Sequence, residues 1–155
     1  MQSIHIASQS SRFVRTPHLV VTIDGQPLDE RLAKSTTNDW LRGLVSTWTG
    51  WLEIPAQQAM VDVRSLMLTD GPTILPILVC PDDLDFACTV VVVEVLCAPD
   101  QITWSRFGID KTPTRHTQPK TIGSTVDWLP NIETMSFSRD AYEAALSAAL
   151  KVRLP

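Results

Sequence analysis

The run FACTVVVVEVLC at 86–97 constrains this chain more than any other segment. Val90 to Val93 are four β-branched residues in succession. Such side chains lose rotamer freedom in a helix and pack well on a pleated surface. No polar residue separates them, so both faces of the strand have to be covered. Glu94 then interrupts the run, and a charge at that place needs a partner or an opening to solvent. Pro99 and Asp100 turn the chain, and QITWSRF at 101–107 returns as the second arm of a hairpin, with Ile102, Trp104 and Arg106 on one face. Upstream, residues 73–80 form a shorter apolar run broken by Pro76. A proline removes a ladder hydrogen bond, so the break implies an edge, a bulge or a late start near Ile77. From Leu75 to Asp110 the chain thus reads as a meander of buried strands, with Asp82, Asp83 and Asp85 knotted at one turn.

The flanking segments supply shorter elements. Residues 4–8 and 18–23 read as strands, and Asp24-Gly25 as a turn. A short helix follows from Leu28 to about Lys34, with Pro27 before it and Asp29 and Glu30 favoured in its first turn. Trp40, Leu41, Leu44, Val45 and Trp48 recur at helical spacing and predict a second short helix, weakened by Gly43. In QAMVDVRSLML at 58–68, Met60, Asp62 and Arg64 alternate with Val61, Val63 and Ser65, the pattern of an edge strand. Residues 110–125 are polar, with two prolines and a glycine, and predict a long loop of the kind that carries function or moves. VDWL reads as a short strand or a turn, and IETMSF as a last strand. Ser138 is placed to cap a closing helix whose apolar stripe is Tyr142, Ala145, Leu146 and Ala149. The sum is a single α+β domain over 1–155: one antiparallel sheet of about five strands with the C-terminal helix packed on one face.

Charge separates the middle of the chain from its ends. Residues 51–100 carry eight acidic side chains against one basic, Arg64, a net of −7 within a chain of net −4. That field repels phosphate backbones and attracts basic partners, which argues against nucleic-acid binding. No apolar run approaches the ~20 residues of a membrane span. The first residues, MQSIHIASQSSRF, lack the basic-then-apolar order of a secretory signal, so the expected location is cytoplasmic.

The residues do not assemble a catalytic motif. Cys80, Cys88 and Cys97 are odd in number and lack the close pairing of a zinc site, which fits small buried side chains in a reducing compartment. A cysteine enzyme using Cys80 or Cys88 with His116 is the main catalytic alternative. The Asp82-Asp83-x-Asp85 knot lacks the glycine and distal glutamate of a calcium loop. No phosphate loop, dinucleotide fingerprint or nucleophile elbow is present. The expectation is therefore no catalytic residue, no metal and no cofactor. Of the five tryptophans, Trp40, Trp48 and Trp104 are expected in the core. Trp51 and Trp128 lie beside turns and are the surface candidates.

The order LPILVCPDDLDFACTVVVVEV, then ITWSRFGID, VDWL and MSFSRDAYEAAL resembles a group of small bacterial proteins. They share a strand ending in cysteine, a polar turn, a long apolar strand, a V/I-x-W strand and a closing F-x-x-x-x-Y helix. Some members of that group look like immunity proteins encoded beside toxins of contact-dependent growth inhibition and other polymorphic toxin systems. The similarity spans roughly residues 75–147. It implies a protein that binds and neutralises one cognate toxin domain, in some cases a nuclease, and it carries over no catalytic residue. The acidic residues then become candidates for the binding surface: Asp82, Asp83 and Asp85, with Asp62, Asp70 and Asp100, and Trp51 and Trp128 as aromatic anchors. The alternative is an accessory or structural subunit without catalysis.

Overall fold

The computed structural model describes residues 1–49, 52–69 and 71–153. Val90–Val93 lie on a central strand, paired along both edges, and all four are fully buried, so both its faces are covered. In chain order the elements are β1 (Ile4–Gln9), β2 (His18–Ile23), β3 (Gln26–Pro27), α1 (Leu28–Thr36), β4 (Val45–Ser46), α2 (Pro55–Leu66), β5 (Thr73–Val79), β6 (Val90–Cys97), β7 (Gln101–Asp110), β8 (Val126–Trp128), β9 (Met135–Ser138) and α3 (Arg139–Arg153). Short 3-10 turns occupy 39–41, 47–49 and 119–121. The main sheet is antiparallel in the order β4-β5-β6-β7-β8, and β9 also pairs with β7. β8 lies beside Gly108–Asp110 and β9 beside Gln101–Trp104, so two short strands share one flank of β7 and six strands fill five places. The class is α+β with a C-terminal helix, as expected. The strand count is not: β1, β2 and β3 form a separate three-stranded sheet. Gln2 links the two sheets, its N–H donating to the Ser136 carbonyl at 2.8 Å and its Oε1 accepting from the Ser136 N–H at 2.8 Å.

Two irregularities in the main sheet place its side chains. Pairing slips between Pro76 and Leu78, which is the bulge that a proline in β5 requires. The Pro76 carbonyl accepts from Thr47 Oγ1 at 2.8 Å. In the hairpin, Glu94 pairs with Arg106 and Val95 with Trp104, leaving Ser105 as an extra residue. A bulge inverts the alternation beyond it. Ile102 and Trp104 therefore share the core with Phe107 and Ile109, and Arg106 turns to the opposite, exposed face, contrary to the expected grouping. There it binds the Glu94 carboxylate at 3.1 Å, and Ser105 Oγ donates to the same carboxylate at 2.7 Å. Arg106 holds the Glu94 carboxyl below its ordinary range, which is how a charge is accommodated beside four valines.

Two further expectations are corrected. Residues 58–68 are mostly helix, within and just past α2, and not an edge strand. Pro55 stands at the start of α2, where its missing N–H costs nothing, and the buried stripe is Gln57, Met60, Val61 and Ser65. Half of that stripe is polar, so hydrophobic periodicity did not reveal it. The segment 40–48 is not a helix: Gly43 takes a positive φ of 94°, which breaks the helical path, and its N–H donates to the buried Asp29 carboxylate at 2.7 Å. Trp40 is consequently 49% exposed and outside the core, whereas Trp48 and Trp104 are fully buried.

The core is closed by aromatic rings from distant segments. Trp104 meets Phe137 edge-on at 5.1 Å and Phe107 at 5.8 Å, and Trp48 meets Tyr142 at 5.5 Å. Trp104 Nε1 donates to Tyr142 Oη at 3.2 Å, and Trp48 Nε1 donates to Ser65 Oγ at 2.9 Å. Ser138 caps α3 through the Ala141 N–H at 3.2 Å, as expected.

Burial pushes the Tyr142 phenol far above its ordinary value of 10.0. The unfolded chain releases this proton above pH 10 and the folded chain keeps it, so stability present below that value is lost as pH rises. Tyr142 is the one tyrosine of the chain, so Tyr142→Phe isolates its contribution. The variant is expected to be less stable at pH 7 by about 1–3 kcal/mol, because the Trp104 N–H loses its acceptor. Its stability should also decline less steeply above pH 10 in denaturant titrations; equal slopes would disprove the coupling.

Candidate partner-binding surface

The acidic knot is the connection between β5 and β6. Because Val79 pairs with Val90, the ten intervening residues must leave and return at one end of the sheet. Leu84 N–H donates to the Cys80 carbonyl at 3.1 Å, and Leu84 adopts a left-handed φ of 53°, which turns the chain back. Asp85 spends one oxygen on the Ala87 N–H at 2.8 Å, while Asp82 and Asp83 face solvent. The Glu53 N–H donates to the Leu84 carbonyl at 3.0 Å, so Glu53 joins the knot from the segment before α2. Sequence reading missed Glu53, which lies some thirty positions from the aspartates; only the pairing of 53 with 84 brings it there. Among the described residues, no ion pair engages Glu53, Asp82, Asp83 or Asp85, whereas Asp24, Glu30, Asp39, Glu94, Asp110 and Glu143 each have a cation partner.

The other candidate residues do not all converge. Asp62 lies on α2, half-buried, and accepts from Gln58 Nε2 at 3.1 Å. Asp100 sits in the β6–β7 turn, at the far end of β6 from the knot, on the order of 24 Å away along the strand. Asp70 and Trp51 lie outside the described residues. Trp128 is half-buried on β8, its ring covered by the Arg106 guanidinium at 3.8 Å. That cation–π contact occupies one face of the ring.

A second feature lies on α2 itself. Its outward side carries Ala56, Ala59, Val63 and Leu66 with Met67 just beyond, and Val63, Leu66 and Met67 are 61%, 57% and 46% exposed. Those positions recur at helical spacing and bear no charge. A groove of ≈ 520 Å³ runs along this side, past Arg64, to Pro119 and Lys120, so two basic side chains line its border. Contiguous exposed apolar surface of this kind marks interaction sites. Sequence reading placed these residues in a strand and so did not see one helical face.

The 110–125 loop is pinned, and it braces the knot. Asp110 is buried and accepts from the Thr112 hydroxyl at 3.0 Å and the Gly123 N–H at 2.9 Å. Arg64 reaches from α2 to the carbonyls of Ile74, Lys120 and Ile122 at 2.8, 2.9 and 2.9 Å. Arg115 donates to the carbonyls of Phe86 at 2.8 Å and Cys88 at 2.9 Å, and stands 3.9 Å from Asp110. Gln57 completes the brace: its Oε1 accepts from the Phe86 N–H at 2.9 Å and its Nε2 donates to the His116 carbonyl at 3.0 Å.

The cysteines are half-buried and none forms a disulfide among the described residues. Cys80 Sγ lies within 4.8 Å of Cys88 Sγ. Burial pushes the Cys80 thiol up. The ring of His116 stands 3.3 Å from Gln57 Nε2. Sequence spacing gave no hint that Cys80 and Cys88 meet, because antiparallel strand ends, not a short motif, bring them together.

Two outcomes follow. Arg115→Ala should cost about 2–4 kcal/mol in urea denaturation, since it strips donors from the carbonyls of Phe86, Cys88 and Thr112 and takes the neighbouring cation from the buried Asp110. Arg115→Lys should not restore it, because one ammonium cannot reproduce the planar fork; a loss under about 0.5 kcal/mol in the alanine variant would refute the brace. At neutral pH, Cys80 should react with iodoacetamide more slowly than a free thiol in an unfolded control. Rapid selective labelling of Cys80 would overturn the protonated assignment. No family model, curated protein or solved structure matches this chain.

Proposed function

We propose that this chain is a non-catalytic immunity protein that binds a cognate toxin domain in the cytoplasm and neutralises it. The observation that carries the reading is the juxtaposition at the start of α2. Carboxylates without cation partners, Glu53, Asp82, Asp83 and Asp85, adjoin a helix whose outward side is apolar. An interface of stable affinity needs an apolar centre that excludes water and a polar rim that orients the partner. The α2 face supplies the first and the acidic knot the second. The sign of the rim selects a basic partner, as a nuclease toxin with a phosphate-binding active site would be. An acidic inhibitor speeds encounter with such a domain and competes with its nucleic acid. Among the described residues no helix is long and apolar enough to cross a membrane, which agrees with a partner met in solution.

The test is co-expression with the product of the gene immediately upstream, with the tag on this chain alone. The expected result is a one-to-one complex with the C-terminal domain of that product, and rescue of cells from its toxicity. Glu53→Lys with Asp82→Lys should lower the association rate about tenfold at low salt and flatten its salt dependence. Val63→Asp should instead raise the dissociation rate about tenfold or more. An upstream product that is neither toxic nor bound would overturn the reading. Sedimentation of the chain alone as a dimer would then favour an accessory subunit.

A further inference from the structure

The meeting of Cys80 and Cys88 has a chemical use that docking does not need. Cys80 follows the last residue of β5 and Cys88 comes two residues before β6, so the Val79–Val90 pairing sets them side by side. The turn at Leu84 folds Asp83 back over them. Cys80 Sγ, Cys88 Sγ and an Asp83 carboxylate oxygen all lie within 4.8 Å of one another. Donors around a tetrahedral zinc ion, at about 2.3 Å for sulfur and 2.0–2.2 Å for oxygen, stand roughly 3.5–3.8 Å apart. A contraction of at most about 1.3 Å therefore closes the site.

We propose that Cys80, Cys88 and Asp83 form a binding site for one thiophilic divalent cation, Zn²⁺ by donor chemistry, with the fourth position open to solvent. Two sulfur donors select against Mg²⁺ and Ca²⁺, which take oxygen ligands. Both sulfurs are half-buried and Asp83 is exposed, so an ion can enter from the acidic side. The surroundings suit the site in two ways. The Arg115 fork fixes the Cys88 backbone through its carbonyl. Asp82, Asp85 and Glu53 add negative potential without occupying the donor positions. On binding, each thiol gives its proton to the buffer as a sulfur–zinc bond forms, and no electron is transferred. The ion would tie both ends of the β5–β6 connection together at the knot.

The site can be tested on the reduced chain by itself, so its outcome is independent of whether a toxin partner exists. Equilibrium dialysis with Zn²⁺ should give one ion per chain. Co²⁺ should give the absorption of a tetrahedral thiolate site. Cys80→Ser and Cys88→Ser should each abolish both signals. Asp83→Asn should weaken Zn²⁺ binding at least about tenfold, given that even residues outside the ligand set cost that much. Cys97→Ser, at the opposite end of β6, should bind as the parent does, and circular dichroism and urea midpoints confirm which variants are folded. Substoichiometric binding, or binding that survives loss of Cys80 or Cys88, would overturn the proposal. So would a reduced chain that takes up no metal and merely oxidises to a Cys80–Cys88 disulfide in air.

Discussion

The hydrogen bond from the Trp104 indole to the Tyr142 hydroxyl joins the longest strand to the closing helix, and the rest of the architecture is arranged around it. Both rings are fully buried. A buried indole N–H and a buried phenol are each costly alone and harmless together. Trp48 repeats the arrangement against Ser65 of α2 and meets Tyr142 edge-on. Three helical or turn segments are thus located on one sheet by two polar contacts inside an aromatic cluster. The bulge at Ser105 is part of the same solution. Without it Phe107 would leave the cluster and Arg106 would enter it.

The strands were legible because they are overdetermined. Val90–Val93, the Pro99-Asp100 turn and the Asp24-Gly25 turn each point one way, and the fold agrees with all of them. The α3 cap and stripe were legible for the same reason. The errors fell where side-chain character and burial part company. In α2 the buried stripe includes Gln57 and Ser65 while Val63 and Leu66 face out, so the apolar residues trace the wrong face. At 40–48 the apolar spacing was helical, but a left-handed glycine bound to a buried carboxylate outweighed it.

The acidic surface was legible as charge and not as shape. Adjacency in sequence placed Asp82, Asp83 and Asp85 together. Strand direction separated Asp100 from them, and a loop contact added Glu53. The polar loop at 110–125 looked free because its anchors are side chains reaching backbone carbonyls, a kind of bond that composition does not reveal. Those anchors leave the knot presented on a fixed frame, so a partner meeting it would lose little free energy to ordering it.

The pairing of Gln2 with Ser136 spans almost the whole chain, and Tyr142 lies later still. A chain emerging in sequence order from a ribosome can fold β5, β6 and β7 as a local meander. It cannot lay β9 beside β7 or set Tyr142 on Trp104 until the final segment is made. Trp104 and Tyr142 are 38 positions apart, so at about 5–20 residues per second Trp104 and the valine strand lack this cover for about 2–8 s. A chain stopped before α3 would therefore leave the face of the sheet that Tyr142 covers open to aggregation, in place of a merely weakened domain.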